Sequence, residues 1–233
     1  MDDAKPGPSD GLFRKALWIL RHRPSQAWSQ GRTVLGFLVQ HHLLKIWPVA
    51  GVKLSTNVRV QKRRVLMAEA PHAQISVGAN SILYENARLE AFGNGSIEIG
   101  ANSILGDIRI NSRGRVVIGD RFLSAWGVFI QDTDTHPTDP TQRGLQCEIM
   151  CHGFRPNWDF GAPQNAALFA WKPTPGTIEI GNDVWIGAQS SILKNVKIGS
   201  GCIVATGSVV LAGDYPPNSL IAGNPARVVK TLQ

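Results

Sequence analysis

The feature that most constrains the fold is an aliphatic residue that recurs at every sixth position towards the C-terminus. The members of this series are Ile180, Ile186, Ile192, Ile198, Val204 and Val210. An α-helix cannot use the period, because residues six apart do not share one helix face. A simple strand buries every second residue, so it does not explain the period either. A period of six suits a coil with three flat sides, where each side holds one short strand and turns one aliphatic inward.

Small residues support this interpretation. Gly181, Gly187, Gly199 and Ala205 directly follow four of the aliphatics, where a three-sided coil needs tight corners. Stacked coils of this kind bury a continuous core, as in other solenoids. Upstream, the segment GANSIL occurs at 78–83 and again at 100–105. Cys202 falls inside the periodic stretch, which predicts a small packed residue and not a nucleophile.

The 233 residues divide into three predicted parts. Residues 1–10 are polar and predict a disordered tail. Residues 11–53 predict a basic helical extension, with two amphipathic runs inside 11–47 that are separated at Pro24. Residues 54–233 predict the solenoid. Residues 137–176 interrupt it as an inserted loop that is rich in Gly, Pro and aromatic residues, and long loops inside compact solenoids are often functional.

Charge is concentrated in the N-terminal part. Residues 1–64 hold 12 Lys and Arg against 3 Asp and Glu, whereas the rest of the chain holds 12 against 14. Such a basic arm either contacts an anionic surface, as in peripheral membrane binding through residues 11–47, or packs on the protein or a neighbouring subunit. We expect no nucleic-acid partner.

Cysteine usage and hydropathy bear on location. The chain has three Cys, no cleavable signal pattern and no apolar run of 18 residues. These properties predict a cytoplasmic protein, either free or peripheral at the inner face of the cell membrane. Cys147, Cys151 and His152 lie close together in sequence. Their spacing is unusual for zinc and a fourth ligand is not evident, so we expect no metal.

Three stretches resemble a known family. They are "IEIGNDVWIGAQSSILKNVKIGSGCIVATGSVV…LIAGNPARVVK" at 177–230, "RINS" at 109–112 and "AWGVFIQDTDTH" at 125–136. Together they resemble the hexapeptide-repeat acetyltransferases, in particular the maltose/galactoside branch with its sugar and polysaccharide O-acetyltransferases. The resemblance covers roughly residues 75–230 and implies an all-β solenoid, a left-handed parallel β-helix. The hand comes from the resemblance, since periodicity cannot show it.

The resemblance also implies a reaction. The expected activity is transfer of an acetyl group from acetyl-CoA to a sugar hydroxyl, in a surface polysaccharide or its glycan precursor. His136 matches the family's general base, and a hydroxyl needs such a base to become a good nucleophile. A nearby carboxylate or carbonyl can hold the second ring nitrogen, and Asp132 and Asp134 are candidates either to orient the ring or to contact the acceptor. Transfer would be direct, without an acyl-enzyme, and the oxyanion would be met by backbone N–H groups near Gly187 or Ala188.

Binding residues follow by the same matching. Candidate acceptor contacts are Asn111, Trp126 and Trp185. Candidate acetyl-CoA contacts are Gly187, Ala188, Ala205, Thr206, Gly207, Arg227 and Lys230. One departure concerns Leu211 and Ala212, since relatives often carry Thr-Lys there. The resemblance further implies a homotrimer with active sites between subunits.

Three other functions were considered. N-acetylation of an amino or nucleotide sugar uses the same machinery, and the sequence does not separate it from O-acetylation. A non-catalytic β-helix, serving as a scaffold or glycan-binding module, would not need the polar break around His136. A metal-dependent hydratase on the same fold needs several His on adjacent coils, and no His follows His152.

Overall fold

The protein is described by a computed structural model that covers residues 48–69, 71–153 and 172–233. In the N-terminal extension only residues 18, 21–23, 25, 31, 39 and 43–44 are described. The predicted tail and most of the predicted helical extension therefore lie outside the described residues. No helix among the described residues is long and apolar enough to cross a membrane.

The described chain winds as a left-handed parallel β-helix with three flat faces. Face A contains β1 Val52–Leu54, β4 Gln74–Val77, β7 Ser96–Ile99, β10 Arg115–Ile118, β13 Thr177–Ile180, β16 Val196–Ile198 and β19 Gly213–Tyr215. Face B contains β2 Arg59–Val60, β5 Ile82–Leu83, β8 Ile104–Leu105, β11 Leu123–Ser124, β14 Trp185–Ile186, β17 Ile203–Val204, β20 Ser219–Gly223 and an antiparallel last strand, β21 Ala226–Thr231. Face C contains β3 Leu66–Ala68, β6 Arg88–Ala91, β9 Ile108–Ser112, β12 Val128–Gln131, β15 Ser191–Leu193 and β18 Val209–Val210.

The period of six is confirmed as the period of the core. Ile180, Ile186 and Ile192 lie inside on faces A, B and C in turn, and the next three members of the series repeat this order one coil later. Cys202 is also fully buried, and its thiol hydrogen-bonds Pro216 O at 3.1 Å. The first strand begins at Val52, two residues before the predicted start of the solenoid.

The corner between faces A and B explains the recurrence of Asn and Gly. One residue of nearly every coil has a positive φ there, which Asn, Asp and Gly adopt at the lowest cost. These residues are Asn57, Asn80, Asn102, Arg121, Asp183, Gly201 and Asn218. The sharp corner lets short strands lie flat on each face, so each face stacks parallel strands from successive coils.

Two further corners position the candidate site residues. The B–C corner consists of the turns 84–87, 106–107, 125–127, 187–190 and 205–208. The C–A corner consists of the turns 92–95, 113–114, 194–195 and 211–212, together with the excursion 132–176 between β12 and β13. Although the excursion is long, β10 and β13 pair directly, with Arg115 opposite Thr177, so the stack of coils continues beneath it.

The excursion was predicted as a loop, and this is wrong for its first half. Residues Pro140–Gly153 form an α-helix, α1. Asp139 caps its N-terminus, because Oδ1 of Asp139 accepts from the Gln142 N–H at 2.8 Å. Pro140 occupies the first helical position, where its missing N–H costs nothing. The helix has only a weak apolar stripe, so hydrophobic periodicity did not predict it.

Candidate active site

The excursion leaves and rejoins the solenoid at one point of the C–A corner. Thr133 forms an antiparallel bridge with Pro175, and the Gly176 N–H donates to Asp132 O at 2.6 Å. The Thr133 hydroxyl also donates to Thr174 O at 3.3 Å. Both ends of the excursion are therefore fixed to the stacked coils.

Asp132 anchors the first residues of the excursion. Its buried carboxylate accepts hydrogen bonds from the Ser112 hydroxyl at 2.6 Å and from the N–H groups of Arg113 at 2.9 Å and Gly114 at 3.0 Å. Burial raises the pKa of the Asp132 carboxyl, although these three hydrogen bonds act in the opposite direction. The carboxylate thus ties the start of the excursion to the turn of the preceding coil.

Asp134 is held by the following coil. Its carboxylate forms an ion pair with Lys194, which lies in the C–A turn after β15. Consecutive acidic residues of the DTDTH stretch therefore anchor the excursion to the coil before it and to the coil after it. His136 comes two residues after the second anchor.

His136 receives its orienting hydrogen bond from α1. The imidazole Nδ1 lies 2.9 Å from Oε1 of Gln146, whose side chain is buried. The Gln146 Nε2 group donates to Thr135 O at 3.4 Å, which fixes Oε1 as the atom that faces the ring. An amide oxygen only accepts, so Nδ1 carries the proton and the neutral ring has its lone pair on Nε2.

The sequence suggested a nearby carboxylate or carbonyl at the second ring nitrogen, with Asp132 and Asp134 as candidates. In the structure the amide carbonyl of Gln146 lies at Nδ1. Arg143, also on α1, donates from Nη1 to Pro137 O at 2.8 Å and Thr138 O at 3.0 Å. The helix therefore holds both the ring and the segment that follows it.

Asn111 lies at the same end of face C as the excursion. It is half-buried on β9, and its neighbour on β12 is Gln131, whose side chain donates to Thr133 O at 2.7 Å. Oδ1 of Asn111 is buried and has no hydrogen-bond partner among the described residues. An unpartnered buried acceptor is costly unless a ligand or water satisfies it.

The two tryptophans and the small residues predicted to bind acetyl-CoA lie away from the excursion. Trp126 is 77% exposed in the B–C corner, and Trp185 is 47% exposed on face B. Two successive turns of the B–C corner hold Gly187, Ala188, Ala205, Thr206 and Gly207. Strand β12 separates this corner from the excursion, and at about 3.3 Å per residue its length alone exceeds 10 Å. Within one chain, the structure does not bring these residues to His136.

Arg227 and Lys230 lie on β21, and both are exposed. Arg227 donates to Ala226 O at 2.8 Å. Leu211 and Ala212, where the sequence departs from its relatives, are exposed in the adjacent C–A turn. The two basic groups thus lie at the C-terminal end of the solenoid, beyond the last small-residue turn.

Comparison with known proteins finds similarity to bacterial transferases and acetyltransferases. A family of bacterial transferase hexapeptide repeats, described as six repeats, matches residues 177–212. A probable acetyltransferase of Mycobacterium tuberculosis is 26% identical over 224 residues, which cover 93% of this chain and 62% of that protein. A putative acetyltransferase of Staphylococcus aureus is 44% identical over 57 residues, or 24% of this chain and 28% of that protein.

Over residues 177–212 the chain is therefore similar to the hexapeptide-repeat transferases. Its fold agrees with that of the polySia-specific acetyltransferase NeuO, at a TM-score of 0.51 and 22% identity over 77% of this chain and 63% of that one. This likeness concerns the fold alone. The chain spans less than two thirds of the length of the two curated relatives, 62% and 28%.

One of the predicted contacts, Gly187, has a structural role of its own. Gly187 is buried, and its N–H donates to Val204 O at 2.8 Å. A Cβ there would lie 2.6 Å from the backbone nitrogen of Thr206, so coil stacking requires glycine. Of the two N–H groups predicted for the oxyanion, that of Gly187 is thus already used. For the Ala188 N–H, no acceptor is found within the described ranges.

Sequence reasoning missed Gln146 and Lys194. Gln146 lies in an unpredicted helix, ten residues after the histidine that it contacts. Lys194 lies sixty residues after Asp134, so only the stacking of coils brings them together. The Asp139-Pro140 pair was the one available signal, since it combines a good N-cap with proline at the first helical position. No three His, Cys, Asp or Glu side chains gather into a metal site in the part of the chain that the structure describes.

Proposed function

We propose that the protein transfers the acetyl group of acetyl-CoA to a hydroxyl of a saccharide, in a surface polysaccharide or its glycan precursor, with His136 as general base. The observation that carries the proposal is the His136 Nδ1–Gln146 Oε1 hydrogen bond of 2.9 Å, on an excursion fixed to a hexapeptide-repeat solenoid. A neutral imidazole held in this tautomer directs its basic lone pair from Nε2.

The proposed reaction is a direct transfer. Nε2 of His136 takes the hydroxyl proton as the oxygen attacks the thioester carbonyl. The carbon–oxygen bond forms, and the tetrahedral oxyanion collapses with cleavage of the carbon–sulfur bond. The imidazolium then returns the proton to the leaving thiolate, which gives an ester and CoA. Gln146 keeps Nδ1 as the donor through the cycle and accepts from the ring in its neutral and charged forms.

The donor fits the B–C corner. Ala188 and Ala205 are small and partly exposed, Thr206 is exposed, and open space surrounds the missing side chain of Gly207. A pantetheine chain can therefore lie close to the backbone of these turns. Arg227 and Lys230 would then offer charge-assisted hydrogen bonds to the nucleotide phosphates. The Ala188 N–H is the group best suited to meet the oxyanion.

The acceptor would lie over the end of face C. Oδ1 of Asn111 offers an unpartnered acceptor to a sugar hydroxyl. Since Asn111 and Gln131 pair in register, and Gln131 bonds the backbone at Thr133, an acceptor bound here would lie next to the excursion that carries His136. Asn111 is the acceptor contact that this geometry supports best.

The distribution of these groups favours a homotrimer with shared sites. The donor residues and His136 lie at different corners of the solenoid, so a second copy is needed to bring a B–C corner against a C–A corner. Face B supports this assembly with an apolar ladder in register, formed by Ile82, Ile104, Leu123, Trp185, Ile203 and Leu220. Ile104, Leu123 and Trp185 are each 39–47% exposed, and an exposed apolar row of this length marks an interaction surface.

A cytoplasmic setting agrees with the exposed thiols. Cys147 and Cys151 are both free and exposed on α1, as is usual where thiols stay reduced. The basic residues that precede the solenoid would attract an anionic membrane surface and bring the enzyme to a membrane-linked glycan precursor.

Acetyl-CoA turnover on a panel of saccharides tests the proposal. We expect release of CoA with at least one neutral sugar and not with water alone. His136→Ala should lower turnover by about 10²–10⁴-fold, the usual contribution of a general base. Amino sugars in the same panel, with the product bond identified by mass spectrometry, distinguish N-acetylation. A His136→Ala variant with near-native turnover would refute the base assignment, and absence of stabilisation by saturating CoA would favour the non-catalytic scaffold.

A further inference from the structure

We propose that the protein prefers an anionic saccharide as acceptor, and that Arg88 and Arg109 on face C bind its carboxylate or phosphate group. This inference rests on the proposed function, because it names the class of saccharide that the same site takes. The observation that carries it is a cluster in which the two arginines share one buried carboxylate, that of Glu90. We call these three residues the Glu90 cluster.

The Glu90 cluster has a defined geometry. Oε2 of Glu90 accepts from Nε of Arg109 at 2.7 Å, and Oε1 lies 2.9 Å from Nη2 of Arg88. The Glu90 side chain is 4% exposed, whereas the side chains of Arg88 and Arg109 are 57% and 49% exposed. The buried carboxylate therefore holds one side of each guanidinium group and leaves much of both arginines open to solvent.

Arg109 keeps hydrogen-bond donors for a ligand. A guanidinium group has five N–H donors in one plane, and Glu90 takes the donor at Nε. For the two Nη groups of Arg109, no acceptor is found among the described residues. Two N–H groups in one plane match a carboxylate or phosphate group, which accepts from them in two parallel charge-assisted hydrogen bonds.

The charge balance of face C distinguishes the Glu90 cluster from an ordinary surface ion pair. On face A, for example, Arg115 and Glu98 pair one to one. On the described strands of face C, the only charged side chains are those of the Glu90 cluster, with two positive charges against one negative. One guanidinium group is enough to neutralise Glu90, so the second leaves a positive charge that an anionic ligand can balance.

The Glu90 cluster lies next to Asn111, the acceptor contact that the geometry supports best. Glu90 is the in-register neighbour of Asn111 on the adjacent strand, and Arg109 lies two residues before Asn111 on β9. Residues two apart on a strand point to the same side, with about 7 Å between them. Oδ1 of Asn111 is buried and unpartnered within the described ranges. One surface therefore offers an acceptor to a sugar hydroxyl and donors to an anionic group of the same saccharide.

Matched pairs of charged and neutral saccharides test the inference on the full-length protein. The pairs are trigalacturonate with its methyl ester, and maltotriose 6-phosphate with maltotriose, and the affinities are measured by calorimetric titration. We expect the charged member of at least one pair to bind about tenfold more tightly than its neutral partner, as charge-assisted hydrogen bonds provide. The pair that shows the preference identifies the anion as a carboxylate or a phosphate.

Arginine variants assign this preference to the Glu90 cluster. Arg109→Gln should lower the ratio of charged to neutral affinity about tenfold, and Arg88→Gln should lower it less. Arg109→Lys keeps the charge without the planar fork, so it should recover part of the ratio. Arg115→Gln is the matched control, because it removes a cation of 51% side-chain exposure from face A and changes the net charge equally. Both members of a pair are measured on one preparation, so a loss of folded protein cancels in the ratio.

Three results would overturn the inference. They are failure of both charged probes to bind more tightly than their neutral partners, an unchanged ratio in Arg109→Gln, and an equal fall of the ratio in Arg115→Gln, which would show attraction by net charge alone. His136→Ala separates this inference from the proposed function, because it should lower transfer and leave the affinity ratio unchanged. If the wild-type protein bound a charged probe through Arg109 and transferred no acetyl group, the proposed function would be refuted and an anion-selective saccharide site would remain.

Discussion

The C-terminal coils, residues 177–212, and the excursion, residues 132–176, use the chain in opposite ways. In the coils each aliphatic of the six-residue series is buried, and every coil presents the same backbone to the next. In the excursion the residues that matter are polar, and each has a unique partner, such as Gln146 for His136 and Lys194 for Asp134. The repeated coils form a rigid frame, whereas the proposed base, His136, lies where the repeat is interrupted.

Deletion of the excursion should distinguish the roles of the two regions most clearly. Residues 134–174 can be replaced by an Asn-Gly turn, because Thr133 and Pro175 already form an antiparallel bridge that a two-residue turn can close. We expect a folded β-helix with near-native strand content by circular dichroism and with CoA-dependent stabilisation. Transfer should fall at least as far as in His136→Ala, by about 10²–10⁴-fold. An unfolded product would contradict the independence of the coils, and near-native transfer would place the base elsewhere.

A core substitution should have the complementary effect. Ile192 is fully buried on β15, so Ile192→Ala should lower the free energy of unfolding by about 2–5 kcal/mol. Turnover per folded molecule should stay near the native value. The measurement is denaturant unfolding combined with the turnover of the folded fraction. Ile192→Val is the matched control and should cost only about 1 kcal/mol. Equal stability of Ile192→Ala and wild type would contradict the packing of this coil.

Gln146 offers the smallest and most specific change. Gln146→Leu removes the acceptor at Nδ1 while it keeps the side-chain volume, so kcat should fall about fivefold, as expected for one lost hydrogen bond of roughly 1 kcal/mol. Gln146→Glu retains an acceptor and should recover most of the rate. Affinity for acetyl-CoA should be unchanged in both. If Gln146→Leu lowered the stability of the fold and left kcat unchanged, Gln146 would be a packing residue only.

The contrast also explains what the sequence could predict. The series from Ile180 to Val210 predicted three faces and a buried core, because one physical rule repeats in every coil. His136 was predicted only from a resemblance to family motifs. The partners of the excursion were not predictable in this way, since Gln146 and Lys194 reach their contacts through a helix and through coil stacking. Asp132 was expected at the histidine, but its carboxylate satisfies the turn of the preceding coil.

Within one chain the proposed acetyl-CoA residues lie apart from His136, the proposed base. This separation leads to the most direct test. His136→Ala removes the base, and Thr206→Trp blocks the donor groove at an exposed position of the B–C corner. Each variant alone should be inactive. The two variants are then co-expressed in equal amounts and assemble at random into rings. At about a quarter of the interfaces, an intact His136 of one copy then faces an intact acetyl-CoA site of its neighbour.

We therefore predict that the co-expressed population as a whole recovers about a quarter of the wild-type turnover, with mixing verified by native mass spectrometry. If verified mixed trimers showed no turnover above that of the separate variants, base and donor would have to act within one chain, and the account of a site shared between copies would be wrong.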